Sequence, residues 1–202
     1  MGIFGRKDTD GATSTTDAGS LDLAALTGDY TIDPSHSTIG FVARHAMVTN
    51  VKGGFQDFTG SLHLDGADPS LSTASIDVKM DSISTGSDDR DGHLKSADFF
   101  KTEEFPTMTF RSTAAEALGD DEYRITGDLT ILGTTKPLSI DLEFNGAAKD
   151  PFGNERVGFE GKAVILRSEW GLTWNAALET GGVLVSDKIK LTFDISAIKN
   201  AG

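Results

Sequence analysis

The sequence predicts an all-β protein: an antiparallel barrel of about eight strands with one short helix at its mouth. Three observations carry that reading. From Tyr30 onward apolar and polar residues alternate with a period of two, the mark of strands with one buried face. A single segment, residues 88–97, reads as helix, too little to cover two faces of a parallel sheet. Gly40, Gly54, Gly60, Gly127, Gly158 and Gly161 lie within or beside the strand patterns, where they permit the bulges and coiling that favour a closed barrel over a sandwich.

Taken in chain order, residues 1–27 read as a disordered polar leader, because 8–20 contain only Asp, Thr, Gly, Ala and Ser. No hydrophobic signal-peptide core is present there, and Arg6 stands where a myristoylation pattern wants Ser or Thr. A cytoplasmic protein is therefore expected, with the barrel domain over 28–202. Strands are predicted at 38–45 and 54–64, then at Ile76, Val78 and Met80, which alternate with Asp77, Lys79 and Asp81. The helix follows, with Ser87 as its N-cap, Asp88 and Asp89 in the first turn and Lys95 near the end. Further strands fall at 107–113, 123–132, 140–144, 157–167 and 189–195, separated by turn residues at 66–69, 119–121 and 151–154.

Charge and composition exclude several functions. The 202 residues hold 18 Lys and Arg against 31 Asp and Glu, a formal charge of −13 that opposes nucleic acid and anionic lipid surfaces. Without cysteine there is no disulfide, thiolate metal site or cysteine nucleophile. No apolar run is long enough for a transmembrane helix, so stable membrane insertion is not expected. His36, His45, His63 and His93 do not share one strand face, so no metal site is predicted. No nucleophile elbow, zinc-protease helix, phosphate loop or dinucleotide fingerprint occurs.

Several motifs in a fixed order resemble the YceI-like family. They are the opening from Tyr30 to Phe41 with Asp33, Pro34 and His36, then His45 and the pair Gly54, Phe55. Next come Ser82 to Thr85, the run from Arg90 through Asp91, His93, Leu94 and Lys95 to Phe99 and Phe100, and Phe105 to Phe110. Gly127 to Pro137 and Arg167, Ser168, Glu169, Trp170, Gly171 complete the match over residues 28–199. This resemblance implies an extended lipocalin-like barrel that encloses a polyisoprenoid chain or an isoprenoid quinone, and in some relatives a fatty-acid-like amphiphile. Many relatives carry an export signal, from which this sequence departs.

Candidate ligand-binding residues follow from parity and from the motifs. Phe41 and Ala43 face inward if Ile39 does, and the same parity carries His45 inside, either to bond a lipid head or as a core imidazole satisfied by the protein. Phe159 and Ile165 share parity with Arg167, whose guanidinium would either anchor an oxygen-rich head or brace the barrel against an Asp. Arg90, Asp91 and His93 read either as a polar latch at the mouth or as a capped helix with an Asp91–Lys95 pair. Leu94, Phe99, Phe100, Phe105, Met108 and Phe110 line the cavity or fill the core beneath the helix. Phe55, Ile83, Leu129, Leu142, Phe144 and Trp170 complete the expected lining.

The leading function is a non-enzymatic carrier of an isoprenoid or other long-chain lipid, with no cofactor. Burial contributes roughly 0.8 kcal/mol per methylene, against about 1 kcal/mol for each head-group hydrogen bond, so the tail dominates affinity. A small lipid hydrolase or isomerase using His45 with Asp91 or Arg167 is one rival, and a solid-core interaction module another. The exposed strand edges leave a homodimer open.

Overall fold

In the computed structural model, which describes residues 23–179 and 181–201, eleven strands form one antiparallel sheet that closes on itself. Three kinks explain the number. β1 (Gly28–Ile32) and β2 (Thr38–His45) are parts of one strand, broken by a 3-10 turn at Pro34–His36 that Asp33 caps by accepting from the Ser35 N–H. β3 (Thr49–Phe55) and β4 (Phe58–Leu64) flank a second break. β5 (Thr73–Lys79) and β6 (Ile83–Ser84) are split by a turn at Met80–Ser82. With β7 (Thr107–Ala117), β8 (Glu122–Ile131), β9 (Thr134–Lys149), β10 (Glu155–Leu166) and β11 (Val185–Lys199), the chain makes eight continuous strands, as the alternation predicts.

Neighbours in sequence are neighbours in the barrel, and β11 closes it. β11 pairs with β2 through Leu191 and Phe41, and further along with β1 through Ala197 and Ile32. The inner face is the apolar parity: Leu138, Ile140, Leu142 and Phe144 on β9 point in, while Asp141 bonds Arg124 on the outer surface at 2.6 Å. Closure draws β7 and β8 together at a bulge between Ser112 and Ala114. A side chain at Gly127 would there meet the Arg111 carbonyl at 2.4 Å, which is why this position holds glycine.

The two ends of the barrel differ. One, the helix end, carries α1 (Asp88–Lys95), residues 96–106 and the strap 167–184 between β10 and β11. The other, the tail end, carries the β4–β5 and β7–β8 turns and the first described residues. The leader boundary expected after residue 27 falls within ordered chain. Residues 1–22 lie outside the described residues, but Leu23–Leu26 forms a 3-10 turn whose two leucines line the barrel cavity. Tyr30 donates its hydroxyl to the Leu26 carbonyl at 2.7 Å, and Lys199 donates to the Ala25 carbonyl at 3.0 Å. Gly66 lies directly beneath, since a Cβ there would sit 1.6 Å from the Leu23 carbonyl oxygen. Gly66→Ala is therefore expected to lift this turn off the tail end while the barrel stays folded. Faster amide exchange confined to residues 23–27 would show it, and unchanged protection would refute it.

A charged cluster ties the first kink to the β9–β10 turn. Arg156 donates to Asp33 at 2.7 Å and to Asp150 at 2.9 Å, all three side chains being mostly buried. Hydrogen bonds from Ser35 and Arg156 hold the Asp33 carboxyl well below the ordinary carboxylate range. Arg156 and Asn154 do the same for Asp150. A carboxylate depressed in the folded state stabilises it above the unfolded pKa near 4, and that contribution is lost as the pH falls further. Melting temperature should accordingly drop steeply between about pH 4 and pH 2, and Asp33→Asn should flatten that drop. Parallel curves for the two proteins would contradict the assignment.

Candidate functional site

An apolar cavity of about 260 Å³ runs the length of the barrel interior. Its wall reaches from Leu23, Leu64 and Tyr123 at the tail end to Ala43, Arg167 and Val185 at the helix end. Nine aromatic rings face it: Phe41, Phe55, Phe99, Phe100, Phe110, Tyr123, Phe144, Phe159 and Phe193. The charged residues that border it among the described residues are Asp65, Arg167 and Arg124, the last with its side chain on the outer surface. The barrel encloses a cavity with an almost wholly apolar lining, where the solid-core alternative raised by the sequence expects packed side chains.

Most of the expected lining is in place. Phe41, Ala43, Phe55, Leu94, Phe99, Phe100, Met108, Phe110, Leu129, Leu142, Phe144, Phe159, Ile165 and Arg167 all border the cavity. Six expected residues do not, and each has a reason. His45 keeps the inward parity of Ile39 and Phe41 but is the last residue of β2, so it stands exposed at the rim. Ile83 is buried in the same apolar cluster as Phe55, Phe58 and Met80, outside the lining. Phe105 packs beside Gly133 at the β8–β9 turn, where a Cβ would meet its ring at 3.1 Å. Trp170 is 2 % exposed and spends its indole N–H on the Leu129 carbonyl at 3.1 Å, fixing the strap to β8.

Arg90 and Asp91 serve the helix instead of the ligand. Asp91 accepts from the Thr85 backbone N–H at 2.9 Å and from the Thr85 hydroxyl, while Arg90 donates to the same hydroxyl at 2.7 Å and to the Thr85 carbonyl at 2.8 Å. Both therefore clamp α1 to the end of β6, and the Asp91–Lys95 pair does not form. Ser87 occupies the N-cap with extended backbone but gives no side-chain bond. The three aspartates of the first turn face the positive end of the helix dipole.

Parity reasoning missed two groups. Trp174, on the strap, meets the His93 ring edge-on at 4.7 Å and the Phe99 ring at 5.1 Å, so helix, loop and strap lock together over the helix end. His93 also bonds Asp98 at 3.0 Å. The sequence signal was a lone large aromatic in an aperiodic stretch. Leu23 and Leu26 form the second group, in the short leucine-rich stretch that follows residues 8–20.

Arg167 is the chemically unusual residue. It is 5 % exposed and borders the cavity, yet the expected Asp brace is absent. Its guanidinium donates to the Leu172 carbonyl on the strap and to two carbonyls at the start of β11, Ser186 at 3.0 Å and Val185 at 3.5 Å. Burial pulls its pKa below the ordinary value, and the nearby Asp187 charge acts in the opposite sense. Asp187 itself is occupied by the Ser168 N–H at 2.9 Å and the Ser168 hydroxyl at 2.8 Å.

The histidines are scattered. His36 bonds Asp33 at 2.8 Å and His63 bonds Asp29 at 2.7 Å, both at the tail-end half, while His93 is held at the helix end. Among the described residues no three His, Asp or Glu side chains converge as metal ligands would. No helix among them is long and apolar enough to cross a membrane.

Comparison with known proteins agrees with this geometry. The family model for the YceI-like domain matches residues 30–197. A UPF0312 protein of Staphylococcus aureus is 39 % identical over 170 residues, covering 84 % of this chain and 95 % of that protein. The YCEI protein of Campylobacter jejuni superposes with a TM-score of 0.68 at 31 % identity, over 78 % of this chain and 90 % of its own. A polyisoprenoid-binding domain from Saccharophagus degradans shares the fold, with a TM-score of 0.64 at 17 % identity over 85 % and 98 % of the two chains. Closed barrel, helix-end clamp and the order of motifs along the chain all agree: the protein belongs to the YceI-like domain family.

Proposed function

We propose that this protein binds one polyisoprenoid lipid, holding the tail along the barrel axis and leaving it chemically unaltered. The observation that carries the reading is the through-running apolar cavity with its aromatic wall. At roughly 0.8 kcal/mol for each buried methylene, six enclosed methylenes contribute about 5 kcal/mol, more than any head-group contact supplies. Faces of nine aromatic rings suit the polarisable double bonds of a prenyl chain. The polyisoprenoid-binding domain of S. degradans, which shares the fold, supports the same ligand class. An isoprenoid quinone is one such lipid, its ring oxygens accepting hydrogen bonds at either end of the barrel.

The rival reading as a lipid hydrolase or isomerase needs His45 beside Asp91 or Arg167. His45 stands exposed at the rim, Asp91 is bound to Thr85, and Arg167 lies in the wall, so the three do not form one acid–base group. Extraction of the purified protein with organic solvent, followed by mass spectrometry, tests the carrier. A species fragmenting by loss of five-carbon units, near one per chain, is expected. A chain that carries nothing and takes up no added prenyl alcohol would refute the proposal.

A further inference from the structure

We infer that the helix end of the cavity is a head-group site for an anionic oxygen group, a phosphate or carboxylate, carried on the lipid and received by Arg167. This rests on the lipid-carrier reading and adds to it the charge and direction of the ligand. Two arginines border the cavity, but the Arg124 side chain lies on the outer surface of the barrel, so Arg167 supplies the guanidinium in the wall. Arg124, at the tail end, is already neutralised by Asp141 at 2.6 Å and Glu116 at 3.7 Å. Arg167 has no carboxylate within ion-pair distance among the described residues. Its hydrogen-bond partners are neutral carbonyls, which orient the guanidinium. Asp187 acts on it from beyond ion-pair distance and is itself held by Ser168, so the positive charge in the apolar wall has no directly bonded anion.

A guanidinium has five N–H donors in a planar fork, and the carbonyls of Leu172, Val185 and Ser186 take three bonds. Two donors remain for a ligand oxygen, the arrangement that bidentate recognition of phosphate or carboxylate uses. The tail end disfavours an anion, because Asp65 lies in its wall and the chain as a whole carries −13. A lipid with a negative head therefore enters with that head toward Arg167 and its tail toward Leu23 and Leu26. A merely structural Arg167 would tie the strap to the start of β11 and be indifferent to the head.

The test compares geranylgeranyl phosphate with geranylgeraniol by calorimetric titration of the whole protein. The native protein should bind the phosphate at least tenfold more tightly than the alcohol. Arg167→Gln should bring the two within about twofold while leaving the alcohol nearly unchanged, and Arg167→Lys should retain part of the preference. Arg124→Gln, at the opposite end, should keep the preference whole. Equal affinities in the native protein, or a loss of both probes in the same proportion on Arg167→Gln, overturns the head-group site. The native comparison and Arg167→Lys decide the matter even if Arg167→Gln fails to fold. A folded native protein that takes neither probe refutes the carrier reading itself, an outcome distinct from alcohol bound as well as phosphate.

Discussion

Trp170→Ala is expected to cost about 3–5 kcal/mol of folding stability, the largest single loss among the strap residues. Trp170 is 2 % exposed and belongs to the apolar cluster built from Leu129, Leu138, Ile140 and Ile165. Truncation leaves a cavity in that cluster and orphans the Leu129 carbonyl, which the indole satisfies at 3.1 Å. Against a typical total of 5–15 kcal/mol, this removes a large share of the barrel's margin. Melting temperature should fall by roughly 10–15 °C for a domain of this size. Trp170→Phe, which keeps most of the bulk and loses only the N–H, should cost about 1–3 kcal/mol. A fall under about 3 °C for the alanine variant would show that strap and barrel fold independently.

Ala74→Trp is expected to abolish most lipid binding while leaving the fold as stable as before. Ala74 lies on β5 and borders the cavity, paired across the sheet with Leu62. An indole there occupies the path of the tail. Excluding four methylenes costs about 3 kcal/mol of ligand binding, close to a 200-fold loss of affinity. Stability holds because the new side chain fills a void instead of displacing packed atoms. His45→Ala is the natural comparison, since the exposed imidazole at the rim has no part in the wall and should change affinity less than twofold. Titration with a prenyl alcohol reads both variants. Undiminished binding to Ala74→Trp would place the ligand outside the barrel.

Much of the wall was legible in the sequence because a strand's alternation is local. Leu142 and Phe144 face inward for the same reason that Asp141 and Glu143 face out, and that reason is contained in five residues of β9. His45 shows where such reasoning stops. Parity placed it correctly on the inner face but is silent about height, and β2 ends at the rim. Arg90 and Asp91 show a second limit. Helical spacing offered Lys95 as the partner of Asp91, but the carboxylate accepts instead from the Thr85 N–H and hydroxyl at the exit of β6. Leu23 and Leu26 sit in an apolar stretch too short for any period, and Trp174 in a strap with none.

The sequence by itself determined that this chain is an antiparallel β protein whose glycines favour a barrel, which residues of its clearest strands face inward, and which family it resembles. These properties depend on periods of two residues and on ordered motifs, both readable one segment at a time. Tertiary structure alone decided which inward residues reach the cavity, that Arg167 is buried without a carboxylate while Arg124 has two, and that the helix end is locked by His93, Phe99 and Trp174. The physical reason is register. Height along the barrel and the charges around a buried group are set by strands and straps far apart in the chain, brought together only when β11 closes on β1.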